Sequence, residues 1–449
     1  MQSKKTIQAS KFKLKPILAR LRKSSFVKNV LIVMSGTALA QVIGFALLPV
    51  ISRLFTPADF GIFGSFNAIA HIFTAGATLG YSQAMILPNE KYDALHLFFI
   101  SCIATVMIAF ICVIVSLIAP TYLMGLMKAS SAWILALLVI TILTGGFNVA
   151  LQAWCVRVKA FKHTSASQVI RSFSSNGMQV GFGFLKVGAI GLIISRFIAN
   201  LFASINLLHV FIGDLKTSSH KISWQRIHQL AKEYHDFPLY SASQNVINAL
   251  SSGIPVLLLT HFFSIAVAGS YAFGVRLLTK PMGLLTGALR QVLFQKASET
   301  QYQGKSVLSL YVKTTAGLFA VCIFPTLLIM IWAPQIFALI FGVQWHTAGE
   351  FARWLILWMA FVFCNVPAVL FARIIRIQRT VLFYDLVLLA ARVSVLVIGG
   401  LYLTALQSIT LFSILGAVMN LILILLVGYN VMKKEGEISW NHLRSSLMQ

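Results

Sequence analysis

Acidic residues are scarce in this chain. Its 449 residues hold 11 Asp and Glu against 36 Lys and Arg, and only 10% are charged while 58% are hydrophobic. A water-soluble protein of this size carries far more charge. The five cysteines (Cys102, Cys112, Cys155, Cys322 and Cys364) fall in or at the ends of apolar runs, so no disulfide framework is implied. No His, Cys or carboxylate cluster has metal spacing, no Gly-rich nucleotide loop is present, and no Ser-His-Asp set can be assembled. Catalytic residues, a metal and a cofactor are therefore not expected. The first apolar span is too long for a signal peptide and lacks a small-residue cleavage pattern. The longest internal connections, Asp214–Phe237 and Ala333–Glu350, leave no room for a separate catalytic domain.

What remains is a series of apolar spans, and the chain reads as an all-α polytopic membrane protein. Spans fall at about 29–54, 60–86, 94–119, 131–153, 167–185, 190–212, 238–262, 268–293, 309–332, 351–372, 381–401 and 405–431. Each is close to the ~20 residues that a bilayer needs. With the N-terminus inside, the outer segments hold only Arg53, Lys128, Lys186 and Arg353. Arg171 counts among the inner cations, and Arg196, Arg276, Lys280 and Arg392 stay within spans. That bias predicts two cytoplasmic termini. The net charge of +25 is then a matter of topology and anionic lipid rather than of nucleic acid. The expected organisation is a basic cytoplasmic arm (1–28), a six-helix lobe (29–213), a cytoplasmic linker (214–237), a second six-helix lobe (238–432) and a tail (433–449).

The two lobes read as a weak tandem duplication. Setting Pro49 against Pro255 brings Gly61 opposite Gly269, with two inserted residues. Parallel repeats of this kind are one architecture of alternating-access transporters.

The stretch Gly269–Gln295 is long enough to span, yet it carries Arg276, Lys280 and Pro281 inside it. A cation at the centre of a membrane helix costs about 2.5–3.5 kcal/mol on insertion scales. The two cations are four residues apart on one face, continued by Gly283, Gly287 and Gln291. Such a face lines a wet cavity or meets an anion. Gln41 with Thr37 and Gly44, Asn67 with His71, Thr74 and Thr78, and Gln244 with Asn248 and Ser251 also recur at helical spacing. Any one of these could be ordinary interhelical hydrogen bonding, at about 0.6 kcal/mol each. Their recurrence on the first, second, seventh and eighth spans, which correspond under the duplication, favours a shared central cavity. Asp385 is the one carboxylate well inside a span. It shares a face with Arg392 and is either a neutralised buried charge or a proton or cation site.

Two runs then carry a family resemblance: SGTALAQVIGFALLPVISRLFTPADFGIFGSFNAI (Ser35–Ile69) and GYSQAMILPNEKYDALHL (Gly80–Leu97). They resemble the bacterial polysaccharide flippases, the O-antigen (Wzx-type) members of the multidrug/oligosaccharidyl-lipid/polysaccharide exporter (MOP) superfamily. Leu151–Ser172, Gly188–Ala203 and the seventh–eighth span pair are similar to the same family. Where many relatives have Arg-Tyr and an acidic residue, this chain has Gly80, Tyr81 and Ser82, so no charged role carries over there. The resemblance implies a MATE-like fold of two lobes around a central cationic cavity. It also implies a bacterial inner-membrane flippase that turns an undecaprenyl-diphosphate-linked oligosaccharide, such as an O-antigen unit of lipopolysaccharide, from the cytoplasmic to the outer leaflet. A polysaccharide polymerase and a chain-length regulator are its implied partners, besides membrane lipid.

On this reading Arg276 and Lys280 bind the diphosphate, Arg53 or Arg392 assists, and Gln41, Asn67, His71, Gln244 and Asn248 line the glycan path. A cation-coupled drug exporter of the MATE type would instead want a carboxylate-lined cavity. A polymerase or ligase would want a large outer loop, where Ala333–Glu350 offers only His346 and Glu350 as titratable groups. A non-transporting scaffold would tolerate neutralised cavity charges.

Overall fold

The computed structural model describes residues 36 and 38–447 except 130, 217–221, 303–305 and 376, so the basic arm lies outside the described residues. Twelve long helices make up the described chain. They are α1 (Ala38–Leu54), α2 (Pro57–Gly76), α3 (Lys91–Ile118), α4 (Trp133–Arg157), α5 (Phe161–Phe184) and α6 (Ala189–Lys216), then α7 (Ser243–Phe262), α8 (Ile265–Tyr302), α9 (Val307–Phe341), α10 (His346–Cys364), α11 (Gln378–Tyr402) and α12 (Ala405–Leu447). Among the described residues there is no strand. The chain is a multi-pass membrane protein.

Eight helices, α3, α4, α6, α7 and α9 to α12, are long and apolar enough to cross a membrane by composition alone. The other four, α1, α2, α5 and α8, are shorter or diluted by polar residues. A polar helix can cross a bilayer only where its polar face meets protein or water. These four helices do so around one cavity.

One span and the linker differ from their sequence reading for a local reason. The ninth span, expected over 309–332, runs on through Pro334 to Phe341 as α9. There a Cβ on Gly349 of α10 would lie 2.5 Å from the Pro334 Cα, so the missing side chain lets the two helices pack tightly around the proline. The connection expected over Ala333–Glu350 shrinks to the turn between Phe341 and His346. The linker between the lobes likewise contains a helix, Trp224–Glu233. Arg226 clamps it to α3, donating from Nε and Nη2 to the two Asp93 carboxylate oxygens at 2.7 Å each. Beside it Gly80, at φ +77°, takes a left-handed turn whose Cβ would meet the Phe237 carbonyl at 2.8 Å.

The lobes meet where the repeat places its matched elements. The α1–α2 turn is fixed by a capping box: Thr56 N donates to Asp59 Oδ2 at 2.9 Å, and Asp59 N donates to Thr56 Oγ1 at 3.2 Å. Pro57 occupies the first helical turn, where its missing N–H is not needed. α2 then crosses α8 at Gly61 and Gly269, the pair aligned by the duplication. A Cβ on Gly269 would overlap the Pro57 carbonyl, and one on Gly61 would overlap the Ile265 carbonyl. The backbones touch because neither residue has a side chain.

Around this crossing an aromatic cluster seals one end of the interface between the lobes. Phe273 stacks on Trp345 at 3.9 Å between ring centroids, and Phe60 meets both edge-on at 5.3 and 5.1 Å. Trp345 Nε1 donates to the Ser52 carbonyl at 2.8 Å, and Ser52 Oγ donates to the Phe341 carbonyl at 3.1 Å. The end of α1 is thereby tied to the α9–α10 turn.

Candidate functional site: a cationic cavity between the lobes

Beyond that seal lies a cavity of about 440 Å³ walled by α1, α2, α4, α5, α6 and α8. Arg276 and Lys280 project into it from α8, one turn apart, as their spacing requires. Arg171 from α5 and Arg196 from α6 join them. Among the residues lining the cavity there is no carboxylate. The Arg196 charge acts on Arg171, Arg276, Lys280 and His71, so the four cations form one electrostatic group. Like charges so close in a low-dielectric site repel one another, and an anion between them removes that repulsion.

The polar wall is built on α5. Gln168, Arg171, Ser172, Ser175, Asn176 and Gln179 follow the three-and-four spacing of a single helical face. Arg171 is held in place: its Nη2 donates to Asn148 Oδ1 at 2.6 Å, and Asn148 Nδ2 donates to Ser204 Oγ at 2.7 Å. Ser172 Oγ donates to the Ala40 carbonyl, which ties α5 to α1. Several buried polar atoms have no protein partner: Gln41 Oε1, Arg171 Nε, Asn176 Oδ1, Gln179 Oε1 and Arg276 Nη1. Buried groups of this kind normally find partners in water or in a ligand. The wall thus offers donors for an anion, with amide oxygens and hydroxyls for sugar hydroxyls.

Of the residues singled out from sequence, the cavity gathers Gln41, Asn67, His71, Arg276 and Lys280. It does not gather the others. Arg53 closes the sealed end, with its Nη2 3.4 Å from the Leu339 and Ile340 carbonyls. Arg392 is buried in the second lobe, where it donates to Ser251 Oγ at 2.7 Å and lies over Trp358 and Phe412 at 4.6 and 5.4 Å. Gln244 lies beside Asp385, within the electrostatic reach of Arg392, and Asn248 lies one turn further along α7. These residues form a second polar cluster apart from the cavity. Sequence reasoning missed Arg171 and Arg196 as site residues. The α5 periodicity could have found the first; charge counting had assigned it to an inner segment.

The sequence pattern of the polysaccharide biosynthesis protein family matches residues 50–350. The chain belongs to that family. No curated protein matches it in sequence. Its fold is that of the MOP transporters. It is similar to the lipid II flippase MurJ in an inward closed conformation, at 16% identity and a TM-score of 0.66, over 90% of this chain and 92% of that one. An inward-facing multidrug resistance MATE family transporter of the MOP superfamily matches at 14% identity and 0.64, over 89% and 95%. A MOP superfamily transporter from Pyrococcus furiosus, described as having a binding pocket of reverse polarity, matches at 14% and 0.60, over 92% and 97%. For this polysaccharide biosynthesis protein, the two-lobed twelve-helix architecture expected from the sequence is the observed one.

Proposed function

We propose that this protein is a flippase, not an enzyme, that carries an undecaprenyl-diphosphate-linked oligosaccharide across the bacterial inner membrane by alternating access. The observation that carries this reading is the cavity with four cations and no carboxylate, walled by amides and hydroxyls. Guanidinium groups bind diphosphate oxygens through paired, charge-assisted hydrogen bonds, and the effect is strengthened where water is scarce. A cation-binding drug exporter would need the opposite polarity.

In this scheme Arg276 and Lys280, with Arg171 and Arg196, hold the diphosphate, while Gln41, Asn67 and His71 contact the glycan. The lobes 29–213 and 238–432 rock about the α2–α8 crossing, and both termini face the cytoplasm. O-antigen units of lipopolysaccharide are one substrate of this class; a polymerase and a chain-length regulator would act on the product. Arg53 belongs to the seal of one state, and Arg392 with Gln244 and Asn248 belongs to the second-lobe cluster. There Asp385 would bind the coupling proton or cation.

Proteoliposomes loaded with the lipid-linked oligosaccharide test both parts. The protein should bring the sugar within reach of externally added glycosidase faster than heat-denatured protein does. Equal rates would contradict the proposal. Imposing a proton or sodium gradient should change the wild-type rate, and Asp385→Asn should abolish that response. An unchanged response in the variant removes Asp385 from the mechanism.

A further inference from the structure

The guanidinium of Arg171 ends a long, flexible side chain, and holding it in one place costs rotamer entropy. A carboxylate partner would hold it but would also cancel its charge. The partner here is an amide. Asn148 on α4, 3% exposed, accepts from Arg171 Nη2 at Oδ1, 2.6 Å away, and the same oxygen accepts from Gln152 Nε2 one turn along the helix. Its Nδ2 donates to Ser204 Oγ on α6 at 2.7 Å, and that hydroxyl donates in turn to the Asn200 carbonyl at 2.8 Å. Arg171 can only donate, so the amide is held one way round, with its oxygen toward the cation.

The backbone beneath Asn148 is also fixed. α4 lodges between α2 and α3 at Gly145 and Gly146, within one turn of Asn148. A Cβ on Gly146 would overlap Thr105 Cγ2 of α3, and one on Gly145 would lie 3.0 Å from Thr74 Cγ2 of α2. Contacts this close leave α4 no room to turn about its axis. The Asn148 oxygen is therefore a fixed point on the cavity wall, and Arg171 is anchored to it.

We propose that Asn148 is a positioning residue of the anion site, a neutral acceptor that fixes the Arg171 guanidinium and leaves its full charge to the ligand. This rests on the flippase reading above. An amide has nearly the shape of a carboxylate, but its oxygen carries only a partial charge. Arg171 therefore stays unneutralised at one end of its fork, and its Nε, which has no protein partner, remains available. Diphosphate oxygens meet a cation already set in place, so less ordering opposes binding. A residue that only tied α4 to α5 and α6 would make the same hydrogen bonds, yet it would respond differently to a change of charge.

The test measures binding of undecaprenyl diphosphate and of uncharged undecaprenol to the full-length protein in nanodiscs, with the unfolding temperature of each sample. Asn148→Ala should weaken diphosphate binding about tenfold, leave undecaprenol binding unchanged, and cause no further loss when added to Arg171→Gln. Asn148→Asp keeps the shape and supplies a counter-charge. It should weaken diphosphate binding at least tenfold while the unfolding temperature stays at or above that of wild type, because a carboxylate relieves the repulsion among the cations. Wild-type preference for the diphosphate in either variant would overturn the proposal. So would a loss in Asn148→Ala that adds in full to that of Arg171→Gln, or a fall in both affinity and unfolding temperature in Asn148→Asp, which would assign Asn148 to packing. In each of these cases the flippase reading stands. If the wild-type protein binds the two lipids alike, the anion site of that reading fails and takes the role of Asn148 with it.

Discussion

Cells whose only copy carries Arg276→Gln and Lys280→Gln should lose surface polysaccharide at normal protein abundance, and lipid-linked single units should accumulate in the inner leaflet. The two side chains share one face of α8, inside the cavity. Hydrogen bonds from charged groups are worth about 1.5–3 kcal/mol each, so removing two weakens the hold on a diphosphate by about 3 kcal/mol or more. That is about a hundredfold or more in affinity. Glutamine keeps much of each side chain's length and its hydrogen-bonding capacity, so packing is spared while the charge is removed. The variant protein should fold at least as well as wild type, because the lost cations repel Arg196 and each other. Wild-type polysaccharide levels in the double variant would show that the cavity charges are not the binding site.

The second large effect is expected at the crossing of the lobes. Gly269→Ala should disfavour the sealed state, because its Cβ would overlap the Pro57 carbonyl and lie 2.6 Å from Gly61 N. Both are backbone atoms, which cannot rotate away as a side chain tip can. Overpacking of this kind costs about 1–3 kcal/mol, enough to shift a two-state equilibrium about tenfold. Separating α2 from α8 also loosens the stack of Phe60, Phe273 and Trp345 beside it. The effect is read from a single reporter cysteine at Ser52, buried in the wild-type seal, in a background lacking the five native cysteines. Maleimide should label it about tenfold faster in the Gly269→Ala protein. Gly287→Ala on the same helix is the control, since nothing lies within 4 Å of the Cβ it would add. Equal labelling in Gly269→Ala and wild type would mean that the crossing does not govern closure.

Both effects trace back to features that differ in how plainly the sequence displays them. Arg276 and Lys280 were legible because a cation inside an apolar run is costly and conspicuous. The pairing of Gly61 with Gly269 was legible as an internal match, but not the fact that the matched residues touch each other. That is a property of the pseudo-symmetric arrangement rather than of either helix. The polar face of α5 was written in its spacing, yet its position near the end of a basic segment made Arg171 read as a topology signal. Gln244 and Asn248 show the converse. Their stripe on α7 is real, but the azimuth of a helix depends on its neighbours, and α7 places Gln244 beside Asp385 of α11. The continuation of α9 past residue 332 was not legible, because it depends on Gly349, fifteen residues after Pro334, which makes the space for the two helices to pack there.

The most direct test of the central claim is equilibrium binding of undecaprenyl diphosphate and uncharged undecaprenol to the purified protein in nanodiscs. The two ligands share a tail and differ only in the anionic head. If the four-cation cavity receives that head, the diphosphate should bind about a hundredfold more tightly, and the Arg276→Gln, Lys280→Gln protein should bind the two lipids alike. Equal affinities in the wild-type protein, or a preference that survives the double substitution, would contradict it.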